Sequence, residues 1–113
     1  MDGAMPVSAA QSPSELRRRL APEVDGAFRE FSQRVFADGA LPADTKELIA
    51  LAVAHVTQCP HCIRGHTLAA RRRGITAEEI MEAIWVAAEM RAGAAFAHST
   101  IALETLQHDS SRE

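Results

Sequence analysis

The hydrophobic and polar positions of the chain repeat with the period of α-helices from about residue 13 to residue 107. Val24, Phe28, Phe31 and Val35, for example, are spaced by four, three and four residues and form one apolar stripe. No segment alternates between apolar and polar side chains in the way that a half-buried β-strand does. The pattern therefore predicts an all-α helical bundle of about five to six helices.

Capping residues predict where several of these helices begin. Asp44 with Glu47, and Thr76 with Glu79, have the spacing of a capping box, in which two side chains satisfy the free backbone groups of a helix start. Capping and breaking residues together predict helices at 14–20, 22–37, 44–57, 60–73, 77–91 and 94–106.

Glycines predict where the helices end, because a glycine readily adopts the left-handed conformation that follows many helices. On this basis Gly39 is expected to end the second helix and Gly74 the fourth. Gly93 is expected to mark a break, or a close crossing with another helix, between the last two helical segments.

The length of 113 residues indicates one domain. We place this domain at residues 13–107, because residues 1–12 and 108–113 are small or polar and read as terminal tails. Apolar residues make up 47% of the chain but aromatic residues only 4%, so the helices are expected to pack closely through small side chains.

One predicted helix is too apolar for the surface of a monomer. The segment Leu48–Val56 is apolar except for His55, and a helix that is apolar all round is buried on all sides. In so small a chain, part of that burial is expected to come from another subunit of a homo-oligomer. We expect His55 to bond a backbone carbonyl in the core, and His98 to pack or hydrogen-bond at an interface.

Charge and hydropathy exclude two classes of partner. The net charge is −3 and the isoelectric point is about 5.9, which argues against nucleic-acid binding. No apolar run is long enough to cross a membrane, and residues 1–13 lack the pattern of a signal peptide. We therefore expect a cytoplasmic protein, in which a C-x-x-C pair is more often redox-active or metal-binding than a structural disulfide.

The chemistry of the chain is concentrated around its two cysteines, Cys59 and Cys62. Cys59 is expected to cap the next helix and Pro60 to occupy its first position. Both thiols would then lie at the positive end of the helix dipole, which lowers the pKa of a cysteine and favours the reactive thiolate. At this spacing the two sulfurs can also close a disulfide with each other.

Nearby side chains can move the protons that thiol chemistry requires. His66 follows Cys62 by four residues, shares its helix face and can accept its proton directly or through a water molecule. Glu47 can orient His66 if the two helices form an antiparallel hairpin. His61, between the cysteines, can polarise the same network.

A zinc site is the competing interpretation of the same residues. Cys59, Cys62 and His66 can supply three ligands, with His61 or His55 as the fourth. Structural zinc sites usually take pairs of ligands from two separate segments, whereas these residues come almost entirely from one short stretch. We therefore expect no metal and no other cofactor, and we keep a zinc-binding or redox-sensing module as an alternative.

The pattern of Glu47, eleven residues, Cys59-x-His61-Cys62, three residues and His66 resembles the alkylhydroperoxidase D (AhpD) branch of the carboxymuconolactone decarboxylase superfamily. The flanking segments 39–42, 74–80 and 93–98 are also similar, so the resemblance covers roughly residues 24–107. It departs in length, because alkylhydroperoxidase D has a second, degenerate copy of this helical unit and this chain has one.

The resemblance implies an all-α AhpD-like fold, with the C-x-x-C at a helix N-terminus in a hairpin, that assembles as trimers or hexamers. It implies a thiol peroxidase or disulfide oxidoreductase of antioxidant defence, in which Cys62 attacks a hydroperoxide and Cys59 closes the disulfide. It further implies that Glu47, His61 and His66 form a proton relay, and that an unknown dithiol or lipoyl-type reductant restores the thiols.

Two questions stay open at the level of sequence. In thioredoxin-like proteins the first cysteine of a C-x-x-C attacks, although the position of His66 on the face of Cys62 favours Cys62 here. A decarboxylase- or lyase-like acid–base enzyme that uses Glu47 and the histidines is the alternative enzyme class.

Overall fold

The computed structural model of the protein describes residues 6–111. These residues form two compact units, divided between Asp38 and Gly39. No strand is present within them, so the all-α prediction is confirmed. Five helices occur in this part of the chain: α1 (Pro13–Leu20), α2 (Pro22–Phe36), α3 (Ala43–Thr57), α4 (Pro60–Arg72) and α5 (Ala77–Gln107).

The first unit consists of α1 and α2. A capping box that was not predicted starts α1: the Ser12 hydroxyl accepts from the backbone N–H of Glu15, whose carboxylate accepts from the N–H of Ser12. On α2, the Arg29 guanidinium binds the carboxylate of Asp25 at 2.6 Å and the hydroxyl of Ser14 at 2.9 Å. Neither helix contains a buried residue, so polar contacts of this kind join the two.

The second unit consists of α3, α4 and α5, with α3 packed against the other two helices. Its core contains Leu51, Ala70 and Ile75, and the partly buried Leu48 and Ile80 pack against them. Leu51 and Ala70 have no exposed surface. Burying a leucine side chain fully contributes about 1.5–3 kcal/mol, so this small cluster fixes α4 against α3.

A very short turn joins α3 to α4. Gln58 adopts the left-handed conformation, with φ 57° and ψ 50°, and its N–H donates to the carbonyl of Ala54. The N–H of Cys59 donates to the same carbonyl at 3.1 Å, and Pro60 then begins α4. The two helices therefore form a hairpin with the C-x-x-C at its turn.

The boundary between α4 and α5 is as predicted. Gly74, the glycine with a positive φ (80°) within residues 6–111, follows the last turn of α4. The Thr76 hydroxyl accepts from the N–H of Glu79 at 3.1 Å, and the Glu79 carboxylate accepts from the N–H of Thr76 at 3.0 Å. This capping box is confirmed.

The predicted capping box at the start of α3 is wrong. Pro42 occupies the cap position and no side chain caps the helix. Asp44 is already inside α3, where its carboxylate pairs with the guanidinium of Arg73. The Glu47 carboxylate points to another partner, described below, and so does not reach back to the helix start.

The prediction that Gly39 ends the second helix is also wrong, and so is the expected break at Gly93, whereas a close crossing there with a helix of another subunit stays a prediction. Helix α2 ends at Phe36 because Ala37 is already extended, before the chain reaches Gly39. Gly93 lies inside α5, which continues over 31 residues without a break. A single glycine inside a helix costs only about 1 kcal/mol, which the helical residues on either side of it offset.

Large apolar side chains of α3 and α5 are exposed, because the small core of the second unit does not cover them. On α3, Ile49, Val53 and Val56 are 42–53% exposed, so the expected burial on all sides is not met within one chain. Among the described residues, no helix combines the length and hydropathy that crossing a membrane requires.

The predicted tails fall partly outside the described residues. Residues 1–5 and 112–113 belong to these tails and lie outside that range. Residues 6–11 contain no helix or strand, and α5 ends at Gln107, where the C-terminal tail was expected to begin.

Candidate active site

The cysteine pair lies at the N-terminus of α4. Cys59 is the cap residue, as predicted, and its Sγ accepts a hydrogen bond from the backbone N–H of Cys62 at 3.3 Å. Pro60 occupies the first helical turn, where a backbone N–H would have no acceptor within the helix, so the N–H that proline lacks is not missed. Cys59 is partly buried, Cys62 is exposed, and both are free thiols.

The two sulfurs differ in acidity. The Cys62 thiol donates a hydrogen bond to the Cys59 sulfur, which, together with the N–H of Cys62, lowers the pKa of Cys59. The same thiol hydrogen bond, with desolvation and the charge of Cys59, raises the pKa of Cys62. The prediction that the helix dipole lowers both pKa values is therefore wrong for Cys62, and Cys59 is the preferred thiolate of the resting pair.

A carboxylate–histidine pair links α3 to α4. The Nδ1 atom of His66 lies 2.8 Å from Oε2 of Glu47. The Glu47 side chain is 11% exposed and that of His66 is 28% exposed, so solvent screens the pair weakly. Because a carboxylate oxygen accepts, Nδ1 carries the proton, and in the neutral ring Nε2 is then the acceptor nitrogen. Glu47 thus orients the His66 ring and holds a proton on its Nδ1.

The hairpin explains why these two residues meet. Since α4 runs back along α3, His66 on the second turn of α4 returns to Glu47 near the start of α3. His66 also lies one turn after Cys62. Because residues four apart share a helix face, both side chains lie on the same side of α4. The structure therefore places an imidazole, oriented by Glu47, on the helix of the exposed thiol.

The remaining histidines do not join this pair. The His61 side chain is exposed and has no hydrogen-bond partner within residues 6–111, although its backbone N–H contributes to lowering the pKa of Cys59. His55 Nδ1 lies 2.7 Å from the carbonyl of Leu51, as expected for a structural histidine. His98 is exposed on α5.

Two residues that position the site were not predicted. Gln58 makes the left-handed turn; with α3 ending at Thr57 and the cap at Cys59, the spacing alone leaves only this residue to reverse the chain. Arg91 of α5 donates to the backbone carbonyl of Val56 at 2.9 Å and so anchors the last turn of α3. No sequence pattern signals this second contact.

A cavity of about 350 Å³ lies beside the turn. The polar side chains of His55, Gln58 and Arg91 line it together with apolar residues of α5. Neither cysteine lines this cavity, although Gln58 directly precedes Cys59 in the chain. Within residues 6–111, no group of three or more His, Cys, Asp or Glu side chains is arranged to hold a metal ion, so the zinc alternative lacks a ligand set there.

Residues 22–105 match the model of the carboxymuconolactone decarboxylase family. The chain belongs to this family. Among solved structures, a carboxymuconolactone decarboxylase family protein from Legionella pneumophila, crystallised in its apo form, is 35% identical, with a TM-score of 0.67 over 82% of this chain and 83% of that one. A protein from Methanobacterium thermoautotrophicum is 36% identical, with a TM-score of 0.69 over 74% of this chain and 93% of that one.

Two curated relatives of this carboxymuconolactone decarboxylase family member are named as uncharacterised proteins. One, protein 4 in the cox locus of Paracoccus denitrificans, is 65% identical over 88 residues, which cover 78% of this chain and 79% of the relative. The other, from Cupriavidus necator, is 35% identical over 82 residues, which cover 73% of each. The expected membership of the carboxymuconolactone decarboxylase superfamily is therefore confirmed, while the relatives' names state neither the alkylhydroperoxidase D branch nor an activity.

Proposed function

We propose that the protein is a thiol-dependent alkyl hydroperoxidase and disulfide oxidoreductase of the alkylhydroperoxidase D type, which acts in antioxidant defence. The observation that supports this most is the 2.8 Å contact between His66 Nδ1 and Glu47 Oε2. That contact prepares a base one helical turn from an exposed thiol, whose own partner cysteine is hydrogen-bonded at the cap of the same helix.

In the oxidative half-reaction, Nε2 of His66 accepts the proton of the Cys62 thiol. The base is needed because the pKa of Cys62 is raised by its hydrogen bond to Cys59. The Cys62 thiolate attacks the terminal oxygen of the hydroperoxide, the O–O bond breaks, and the alkoxide leaves as an alcohol with the proton from His66. Glu47 stabilises the transient imidazolium, and Cys62 becomes a sulfenic acid.

Cys59 then resolves this sulfenic acid. The backbone N–H groups of Cys62 and His61 favour negative charge on its sulfur, and the Cys59 thiolate attacks the sulfur of Cys62. The S–S bond forms and hydroxide leaves, taking a proton to become water. We assign His61 to this relay as a group that delivers a proton from solvent, because its imidazole is exposed between the two cysteines.

A dithiol or a lipoyl-type reductant restores the two thiols, since the chain contains no third cysteine. The proposed chemistry uses no metal and no bound cofactor. The reductive half-reaction is a thiol–disulfide exchange, in which an external pair of thiols reduces the redox-active disulfide with two electrons.

Steady-state peroxide consumption tests this proposal. Reduced protein with excess dithiothreitol should consume tert-butyl hydroperoxide catalytically. Cys62→Ser should lose this turnover. Cys59→Ser, reduced and then freed of dithiothreitol, should consume one equivalent of hydroperoxide and hold a sulfenic acid on Cys62. Full turnover by Cys62→Ser would overturn the proposal.

A second candidate function is an acid–base enzyme of the decarboxylase or lyase type. The Glu47–His66 pair favours it, because a fixed carboxylate–imidazole pair can act without thiols. The two candidates respond differently to alkylation of both cysteines with iodoacetamide. The peroxidase loses its activity, whereas an acid–base enzyme keeps it.

We also propose that the protein acts as a homo-oligomer, a trimer or a hexamer. Exposed large apolar side chains follow α5 and flank an apolar groove of about 410 Å³ between α3 and α5. A second copy fits this surface, because the uncovered side chains on α5 are themselves apolar and include Trp85, Met90 and Phe96, which are 61–82% exposed. Light scattering should give three or six chains per particle, and a monomer at micromolar concentration would contradict this.

A further inference from the structure

The two cysteines are not equivalent toward an external molecule. Cys62 is exposed, whereas Cys59 is partly buried at the end of the α3–α4 turn. Cys59 also holds two backbone contacts of its own, since its N–H donates to the carbonyl of Ala54 and its Sγ accepts from the N–H of Cys62. An incoming thiol therefore reaches the sulfur of Cys62 more easily.

We propose that the reductant attacks the Cys62 sulfur of the oxidised protein and that Cys59 is the leaving thiolate, so that every covalent intermediate with an outside molecule forms on Cys62. This inference rests on the proposed function, because it describes how the same Cys59–Cys62 disulfide is reopened. It assigns the mixed disulfide with the reductant to Cys62, whereas the sequence alone allows either Cys59 or Cys62.

Leaving-group stability supports this direction. In thiol–disulfide exchange the thiol with the lower pKa leaves faster. The N–H of Cys62, 3.3 Å from Cys59 Sγ, and the N–H of His61 both favour negative charge on Cys59. These donors belong to the first turn of α4, where the helix dipole also favours an anion. For Cys62, one backbone N–H, its own, favours the thiolate.

The exchange balances in two steps. A thiolate of the dithiol bonds to Cys62 Sγ, the Cys59–Cys62 bond breaks, and Cys59 keeps the electron pair as a thiolate. The second thiolate of the dithiol then attacks the first sulfur of the dithiol, which is bonded to Cys62. The dithiol closes to a disulfide, and Cys62 leaves as a thiolate that takes up the proton of the second thiol of the dithiol, relayed by His66. Two electrons pass from the dithiol to the protein.

The order of roles thus differs from that of thioredoxin-like proteins. There the more exposed, first cysteine forms the mixed disulfide, whereas here the second cysteine is the exposed one. One sulfur, Cys62, would meet both the hydroperoxide and the reductant. The other, Cys59, would react only inside the chain.

A trapping experiment on the wild-type protein tests the assignment. The disulfide is formed with diamide, which does not depend on peroxidase activity, and glutathione is added until singly glutathionylated chain appears. N-ethylmaleimide then blocks the released thiol, and fragment-ion mass spectrometry locates both modifications. Glutathione adducts prepared on Cys59→Ser and Cys62→Ser serve as reference samples for the two positions.

We expect glutathione on Cys62 and N-ethylmaleimide on Cys59, in a ratio of about tenfold or more over the reverse pattern. Equal amounts, or a majority of glutathione on Cys59, would overturn the inference and leave the peroxidase proposal intact. Conversely, a protein that forms this adduct on Cys62 but consumes no hydroperoxide would support the exchange order and refute the peroxidase.

Discussion

Replacing Glu47 with glutamine tests whether the carboxylate–histidine pair drives turnover. The substitution keeps the shape of the side chain and an oxygen that can accept from Nδ1 of His66, but it removes the negative charge. A hydrogen bond to a charged group contributes about 1.5–3 kcal/mol and one between neutral groups about 0.5–1.5 kcal/mol. The difference acts on the transient imidazolium, which the Glu47 carboxylate contacts at 2.8 Å.

The expected effect follows from that difference. A loss of about 1–1.5 kcal/mol lowers kcat/KM for hydroperoxide about tenfold in Glu47→Gln. Removing the whole interaction in Glu47→Ala loses about 3 kcal/mol and should lower kcat/KM about 100-fold. Solvent cannot replace the lost partner readily, because the Glu47 side chain is only 11% exposed. The assay is initial-rate consumption of tert-butyl hydroperoxide with dithiothreitol, after unfolding curves have confirmed that each variant folds.

Asp44→Asn is the matched control. Asp44 lies on the same helix and also pairs its carboxylate with a cation of a neighbouring segment, Arg73, but both side chains are about half exposed. Such a surface pair contributes about 0–1 kcal/mol to stability, and it is not expected to change the rate. If Glu47→Gln kept the wild-type rate, or lost no more than Asp44→Asn, the proposed role of Glu47 would be refuted.

Three further changes test the acidity of the pair, the helix and the core. Cys62→Ala removes the thiol that donates to Cys59, so the pKa of Cys59 should rise toward its ordinary value. Ultraviolet titration of the thiolate should then begin at higher pH than in the reduced wild-type protein. An unshifted curve would contradict the assigned hydrogen bond. Gly93→Ala should stabilise α5 by about 0.5–1 kcal/mol, because the nearest atom to an added Cβ is Glu89 Oε1 at an ordinary 3.5 Å; a lower melting temperature would mean that another helix approaches there. Leu51→Ala should cost about 2–5 kcal/mol in urea unfolding, since Leu51 has no exposed surface, and a loss below 1 kcal/mol would refute its place in the core.

The helices could be predicted where the signal is local. Thr76 and Glu79 lie three residues apart, and the capping box that they form needs no information from the rest of the fold. Asp44 shows where this fails, because it has the same spacing to Glu47 but tertiary partners occupy both carboxylates. Gly93 fails for a related reason, since one glycine does not outweigh the helical residues around it.

The candidate site shows the same division between local and tertiary effects. The cap position of Cys59 follows from Pro60 alone, and the pairing of Glu47 with His66 follows once α3 and α4 are read as a hairpin. The opposite pKa shifts of the cysteines could not be predicted, because they depend on which thiol donates to the other. The contact from Arg91 to α3 depends on packing between distant segments and leaves no local pattern.

The most direct test of the central claim is the number of free thiols before and after treatment with an organic hydroperoxide, read together with the intact mass. Reduced protein has two free thiols per chain, those of Cys59 and Cys62. The proposed function predicts that stoichiometric hydroperoxide removes both thiols, that the mass falls by two hydrogen atoms, and that a dithiol restores the starting values. Two unchanged thiols, or a stable gain of oxygen with no loss of hydrogen, would contradict the formation of a redox-active disulfide.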